Sequence, residues 1–140
     1  MKNIFIKLFC IFAFILCFAS TAFASVLNIN SAVYDDSASM LVINSTDNDE
    51  FNFSIKPKLI IMSEENKAYF DIANTHLKSA QDIVVNSPQI NEIIIKQLSE
   101  PSDTVRVQIS YNEEFNPKNI QLKKLDNTLF VRFKTTQSQN

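Results

Sequence analysis

Glycine is absent from all 140 residues of this chain. That single absence removes the phosphate-cradling loops of the dinucleotide and Walker types and the usual glycine-flanked nucleophile elbow. It also passes the task of positive-φ turns to asparagine and aspartate. These residues gather where strands should end: Asp35-Asp36, Asp47-Asn48-Asp49, Asn66, Asn112, Asn116 and Asp126-Asn127. Tryptophan is missing too, and histidine occurs once, at His76. Without a second histidine or a nearby cysteine, only carboxylates could join His76 around a metal, so it reads as a solvated connector residue. The sequence calls for no catalytic residue, no metal and no cofactor.

The two cysteines, Cys10 and Cys17, both fall in the first 24 residues, a segment that reads as an export signal. Lys2 and Lys7 give it a positive end, Leu8 to Ala19 is an unbroken apolar run, and Ala22-Phe23-Ala24 has the small-x-small pattern of a cleavage site. Cleavage is expected after Ala24, leaving Ser25 first. The apolar run is too short to cross ~30 Å of hydrocarbon at ~1.5 Å per residue and Lys7 blocks its extension, which favours a cleaved signal over the alternative of a retained anchor; no membrane span is expected after cleavage. The mature chain then has no cysteine. It can form no disulfide, no thiolate metal site and no cysteine nucleophile. Losing the two leader lysines from 13 Lys plus Arg, against 15 Asp plus Glu, leaves it mildly acidic. Basic residues are not clustered as phosphate neutralisation would need, which argues against a nucleic-acid partner.

What is present is alternation and repetition. In residues 104–111, Val105, Val107, Ile109 and Tyr111 share one face while Arg106, Gln108 and Ser110 take the other, the period of a half-buried strand. Residues 119–125 and 128–134 alternate in the same way around Asp126-Asn127, predicting a hairpin. Further hairpins are predicted for 59–62 with 68–72 and for 25–34 with 39–44, and residues 90–98 read as another strand. Residues 74–86 fit either a short helix, with Leu77, Ala80, Gln81 and Val84 at helical spacing, or an irregular β crossover.

Sliding the chain by 64 positions lays Val26-Leu27-Asn28-Ile29 on Ile90-Asn91-Glu92-Ile93 and Leu41-Val42-Ile43 on Val105-Arg106-Val107. The same offset lays Asp49-Glu50-Phe51-Asn52 on Glu113-Glu114-Phe115-Asn116; an offset of 61 lays Ala68-Tyr69-Phe70-Asp71-Ile72 on Leu129-Phe130-Val131-Arg132-Phe133. Neither half can bury its apolar face alone. The expected fold is therefore all-β, a sandwich of two pseudo-symmetric antiparallel halves, 26–72 and 90–133, within a domain spanning 25–135. Residues 136–140 read as a disordered tail.

The order of these segments resembles the AMIN domain, found at the N-terminus of periplasmic N-acetylmuramoyl-L-alanine amidases and of type IV pilus secretins. The resemblance runs from Val26 to Phe133. It is carried by Tyr69-Phe70-Asp71-Ile72-Ala73-Asn74-x-x-Leu77, then Ile90-x-x-Ile93-x-Ile95, then Thr104-Val105-Arg106-Val107. It implies a periplasmic β-sandwich that binds peptidoglycan and holds its host at the cell wall. Asp71 matches the family's strand-ending aspartate and Arg106 its arginine in the second copy. The Pro-x-Arg that usually precedes the aspartate strand is replaced here by Glu65-Asn66-Lys67.

Asp71 and Arg106 can either pair with each other across a sheet or face a glycan. Asn74 reads as a turn former or a sugar contact. Of the aromatic residues, Phe51, Phe53, Phe70, Phe115, Phe130 and Phe133 are assigned to the core. Tyr34, Tyr69 and Tyr111 are left as surface candidates, since a phenol tolerates a wet edge. The ligand-binding candidates are thus Arg106, Asp71, Asn74, Tyr69 and Tyr111. The functional expectation is a non-catalytic peptidoglycan-binding module. Its rival is an interaction subunit docking on envelope proteins such as an amidase, a secretin or pilus components.

Overall fold

A computed structural model of the chain describes residues 27–46 and 57–134. The export signal, the tail, Phe51, Phe53 and the repeat segment at 49–52 lie outside the described residues. Among the described residues, ten strands make up the regular structure: β1 (Leu27–Asp35), β2 (Met40–Ser45), β3 (Ile60–Met62), β4 (Lys67–Ile72), β5 (Thr75–Leu77), β6 (Gln81–Val84), β7 (Ile90–Gln97), β8 (Val105–Tyr111), β9 (Ile120–Leu125) and β10 (Thr128–Phe133). Single turns of 3-10 helix, Ser63–Glu65 and Pro117–Asn119, complete it. The strands form two five-stranded sheets, ordered β5-β1-β2-β10-β9 and β3-β4-β8-β7-β6.

Alternation decides which face each strand buries. Val105, Val107, Ile109 and Tyr111 of β8 point inward, with Ala68, Phe70 and Ile72 of β4 beside them. Leu41 and Ile43 of β2 and Leu129, Val131 and Phe133 of β10 supply the facing layer, and one contiguous apolar core results. Each fully buried aliphatic or aromatic side chain contributes roughly 1.5–3 kcal/mol relative to exposure. The all-β sandwich expected from the sequence is the fold observed.

The two halves interlock instead of stacking half upon half. The β1–β2 hairpin shares its sheet with β9–β10 of the second half, and β3–β4 shares the other with β7–β8. The halves join through the antiparallel pairs β2·β10 and β4·β8. These registers show the duplication and correct its offset. Leu41 lies opposite Val131 in one sheet and Val107 opposite Phe70 in the other, so Leu41 corresponds to Val107 and not to Val105. Both first strands carry a bulge, between Ile29 and Ser31 and between Ile90 and Glu92, which sets Ile29 against Ile90 and not Ile93. For β4 and β10 the offset of 61 holds, with Phe70 matching Val131. The intervening change comes from the connection between β7 and β8, residues 98–104, which is longer than the β1–β2 turn of 36–39.

Residues 74–86 form no helix. They run as the edge strands β5 and β6, one closing each sheet, and β5 joins β1 in parallel, the exception to the antiparallel pattern. Thr75 and Leu77 are buried about exposed His76, whereas Val84 is 75% exposed, so the residues at helical spacing do not share a face. Asn74 at φ 53° turns the chain out of β4. Asn66 (φ 55°) and Asp126 (φ 52°) take the positive-φ positions expected of them, and Ser39 (φ 49°) adds one that the sequence did not signal.

Candidate ligand-binding face

The outer face of the β3-β4-β8-β7-β6 sheet carries most of the sequence-derived candidates. Because Ala68, Phe70 and Ile72 point inward, Tyr69 and Asp71 must point outward from β4, and the same parity turns Arg106, Gln108 and Ser110 outward from β8. Antiparallel register places Asp71 directly opposite Arg106 and Tyr69 opposite Gln108. Arg106 Nε donates to Asp71 Oδ1 at 2.8 Å and its terminal Nη2 donates to Oδ2 at 3.0 Å, a two-pronged pair. The guanidinium carbon sits 4.2 Å from the centre of the Tyr69 ring, within cation–π range. Tyr69, Arg106 and Asp71 therefore form one flat, fixed platform, about a third exposed at the charged pair (30% and 36%).

The hydrogen bond donated to Asp71 pushes the Arg106 pKa further above its already high ordinary value, so the guanidinium stays charged at every working pH. Of its five N–H donors, two are directed to Asp71. The other three can meet carbonyl or carboxylate oxygens of a ligand. Lys96 of β7 lies opposite Arg106 on its other side, and Lys67 stands further along β4 opposite Ser110. Neither lysine was singled out from the sequence. Strand parity gave Gln108, but only the β7·β8 register brings Lys96 beside Arg106.

The pseudo-equivalent place on the other sheet is chemically different. There Met40 faces Arg132, and Phe130 takes the position of Tyr69. One scaffold, used twice, carries the platform once.

Other candidates fall elsewhere. Asn74 is exposed beyond the end of β4, its positive φ making the turn while its carbonyl accepts from Leu27 N–H at 2.9 Å. Tyr111 is only 4% exposed and packs on Phe115 with ring centres 5.8 Å apart. The surface role expected for Tyr111 is corrected: in phase with Val105, Val107 and Ile109, it lies in the core, where burial pushes its phenol pKa up. Phe130 is corrected in the opposite sense. It is out of phase with Leu129, Val131 and Phe133, so it stands half-buried on an outer face, while Phe70, Phe115 and Phe133 are buried as expected. His76 is exposed on β5, and no group of His, Cys, Asp and Glu suited to a metal occurs among the described residues.

Compared with known proteins, residues 29–133 match the model of one family, the AMIN domain. No curated protein and no solved structure matches the chain.

Proposed function

The chain belongs to the AMIN domain family, and on that premise we propose that it is an exported, non-catalytic module that binds peptidoglycan through the platform of Tyr69, Asp71 and Arg106. AMIN domains are envelope modules associated with peptidoglycan, which supports a role at the cell envelope. The observation that carries the reading is the fixed Arg106 guanidinium, held by Asp71 and laid on Tyr69 where solvent reaches it. A polymer of N-acetylated sugars cross-linked by short peptides offers carbonyl and carboxylate oxygens to such donors, and the Tyr69 ring can receive an apolar sugar edge. Lys67 and Lys96 extend the same face towards stem-peptide carboxylates.

Co-sedimentation with isolated sacculi tests this. The mature chain is expected to pellet above a tag-only control at low and moderate salt, and Arg106→Ala and Tyr69→Ala to pellet several-fold less while keeping a β-type circular dichroism spectrum. Failure of the unaltered chain to pellet at either salt would overturn the proposal.

A second reading, docking onto an envelope protein, is favoured by one observation. On the outer face of the β5-β1-β2-β10-β9 sheet, Val33, Val42 and Phe130 stand in one cross-strand row, with Val33 59% exposed. A photo-crosslinking residue at position 33 would yield one dominant protein adduct in cells, surviving cell-wall digestion, if that face meets a protein.

A further inference from the structure

An open cleft lies at the opposite end of β8 from Arg106, and nothing in the platform uses it. Its volume is about 460 Å³, inside the range of roughly 300–1,000 Å³ typical of small-molecule sites. Tyr34, Asp36 and Ser39 form one wall, at the β1–β2 turn; Asn86, Ser87 and Gln89 form the other around Pro88, just before β7.

Both walls are set by hydrogen bonds internal to the protein. Asp35 Oδ1 accepts from Ser37 N–H at 3.0 Å, Ser37 Oγ at 2.7 Å and Ala38 N–H at 3.3 Å, which locks the turn. Ser39, in its left-handed conformation, accepts from Phe133 N–H at 3.0 Å. On the other side Ser87 Oγ accepts from Gln89 N–H at 3.2 Å and the Gln89 carbonyl from Asn112 N–H at 2.8 Å, while Asn112 Nδ2 donates to the Pro88 carbonyl. The Tyr34 ring is backed by Phe133, ring centres 6.1 Å apart. A ligand entering such a cleft has little protein left to order.

Pseudo-symmetry shows that the opening is particular to this corner. At the equivalent corner, between residues 97–104 and the start of β1, strand β5 fills the space: Thr75 lies beside Leu27 and donates to the Asp103 carbonyl at 2.8 Å. Among the described residues, the chain plugs one corner with its own backbone and leaves the other open.

The lining chemistry selects the ligand class. It offers one carboxylate, two carboxamides and three hydroxyls, counting Tyr34, with a tyrosine and a proline ring, and no cation. An anion finds no countercharge there, and an apolar ligand would strip water from many polar groups. The carboxylate accepts from, and the carboxamides both donate to and accept from, the neighbouring hydroxyls of a sugar, and the tyrosine and proline rings offer apolar surface to the C–H side of a pyranose. We infer that this cleft is a saccharide subsite, taking neutral sugar units of a glycan. It is separate from the Arg106 platform and stands or falls apart from it.

Titration of the 15N-labelled mature chain with N-acetylglucosamine tetramer, followed by amide chemical shifts, tests the inference. Saturable shifts are expected at Tyr34, Asp36, Ser39, Asn86 and Gln89, unchanged in an Arg106→Ala background. Asp36→Ala with Gln89→Ala should weaken the response roughly tenfold or more, the equivalent of one good hydrogen bond. Both residues lie outside the apolar core, and a retained amide spectrum confirms that the variant folds; Asn86→Ala provides an independent check. Absence of shifts, shifts confined to Tyr69 and Arg106, or an affinity unaltered by both variants would overturn the subsite. Sacculi binding lost only on Arg106→Ala, alongside an intact tetramer response, would separate the two sites.

Discussion

The side chain of Gln97 completes the edge of β5 by accepting the Leu77 N–H at 2.8 Å through Oε1. Its Nε2 donates to the carbonyls of Thr75 and Ser102, each at 2.9 Å. β5 pairs with β1 on one side only, so its second edge would otherwise leave backbone groups of a buried segment unpaired. A carboxamide presents the same donor and acceptor as a peptide group, and Gln97 acts as one extra peptide unit there. It also ties the longer β7–β8 connection, through Ser102, to the crossover between the halves.

Gln97→Ala is therefore expected to destabilise the fold by about 1–3 kcal/mol, the usual effect of orphaning buried backbone partners. Gln97→Glu should do more harm at neutral pH despite its near-identical shape, because a carboxylate would face the Thr75 and Ser102 carbonyls with no proton to give. Urea unfolding of the three chains measures both. If Gln97→Glu matched the unaltered protein, the donor half of the arrangement would be disproved.

Asp71 and Arg106 make a two-pronged pair, yet a third of each side chain remains in solvent. Screening limits pairs of this kind to about 0.2–1 kcal/mol. A double-mutant cycle of Asp71→Ala and Arg106→Ala, read by urea unfolding, should return a coupling in that range and shrink further in high salt. The same single changes should reduce sacculi binding several-fold. A coupling of several kcal/mol with no change in binding would recast the pair as a structural clasp.

The hairpins were legible because each combines period-two alternation with an Asn or Asp turn, as Asn66 and Asp126 illustrate. The Asp71–Arg106 pairing was legible for a related reason: both residues are polar interruptions of apolar alternation, and only an outward face accommodates them. Tyr111 follows the same parity: in phase with Val107 and Ile109 it points inward, although its hydroxyl would suit a wet edge. The crossover was not legible. Strands of three and four residues, β5 and β6, carry too little periodicity to be told from a helical turn, and it is the open sheet edges beside them that decide their conformation. The duplication could be seen but not aligned, because the longer β7–β8 connection shifts the register of one copy against the other without leaving any mark on the hydrophobic pattern.

Tyr34 gives the fold an alkaline sensitivity. Burial pushes its phenol pKa above the ordinary 10.0, Asp36 and Asp35 push in the same direction, and a hydrogen bond with Ser39 opposes them. A pKa raised on folding contributes stability that is complete below about pH 10 and lost as pH climbs through the folded value. Tyr111, raised by burial alone, adds to the same trend. Urea midpoints measured between about pH 8 and pH 11 should fall with pH, and fall less steeply in Tyr34→Phe. An unchanged slope in that variant would show that other groups govern the alkaline limb.

The pseudo-symmetry of the two sheets allows the platform to be rebuilt where it is missing. Met40 faces Arg132 as Arg106 faces Asp71, and Phe130 precedes Arg132 by the same two residues that separate Tyr69 from Asp71. Met40→Arg with Phe130→Tyr and Arg132→Asp would place a guanidinium, a phenol ring and a carboxylate on that face in the same relative order. All three positions are half-buried or exposed, so the change should alter stability by no more than about 1 kcal/mol, as expected for surface sites. If the platform itself holds peptidoglycan, this triple variant should restore sacculi binding in an Arg106→Ala background. The neighbours of the two sites differ, with Lys96 beside Arg106 and β1 residue Asp35 beside Met40. Restored binding would locate the activity in the three platform residues, whereas an ion pair that formed without restoring it would assign the missing contribution to Lys96 and the rest of the original face.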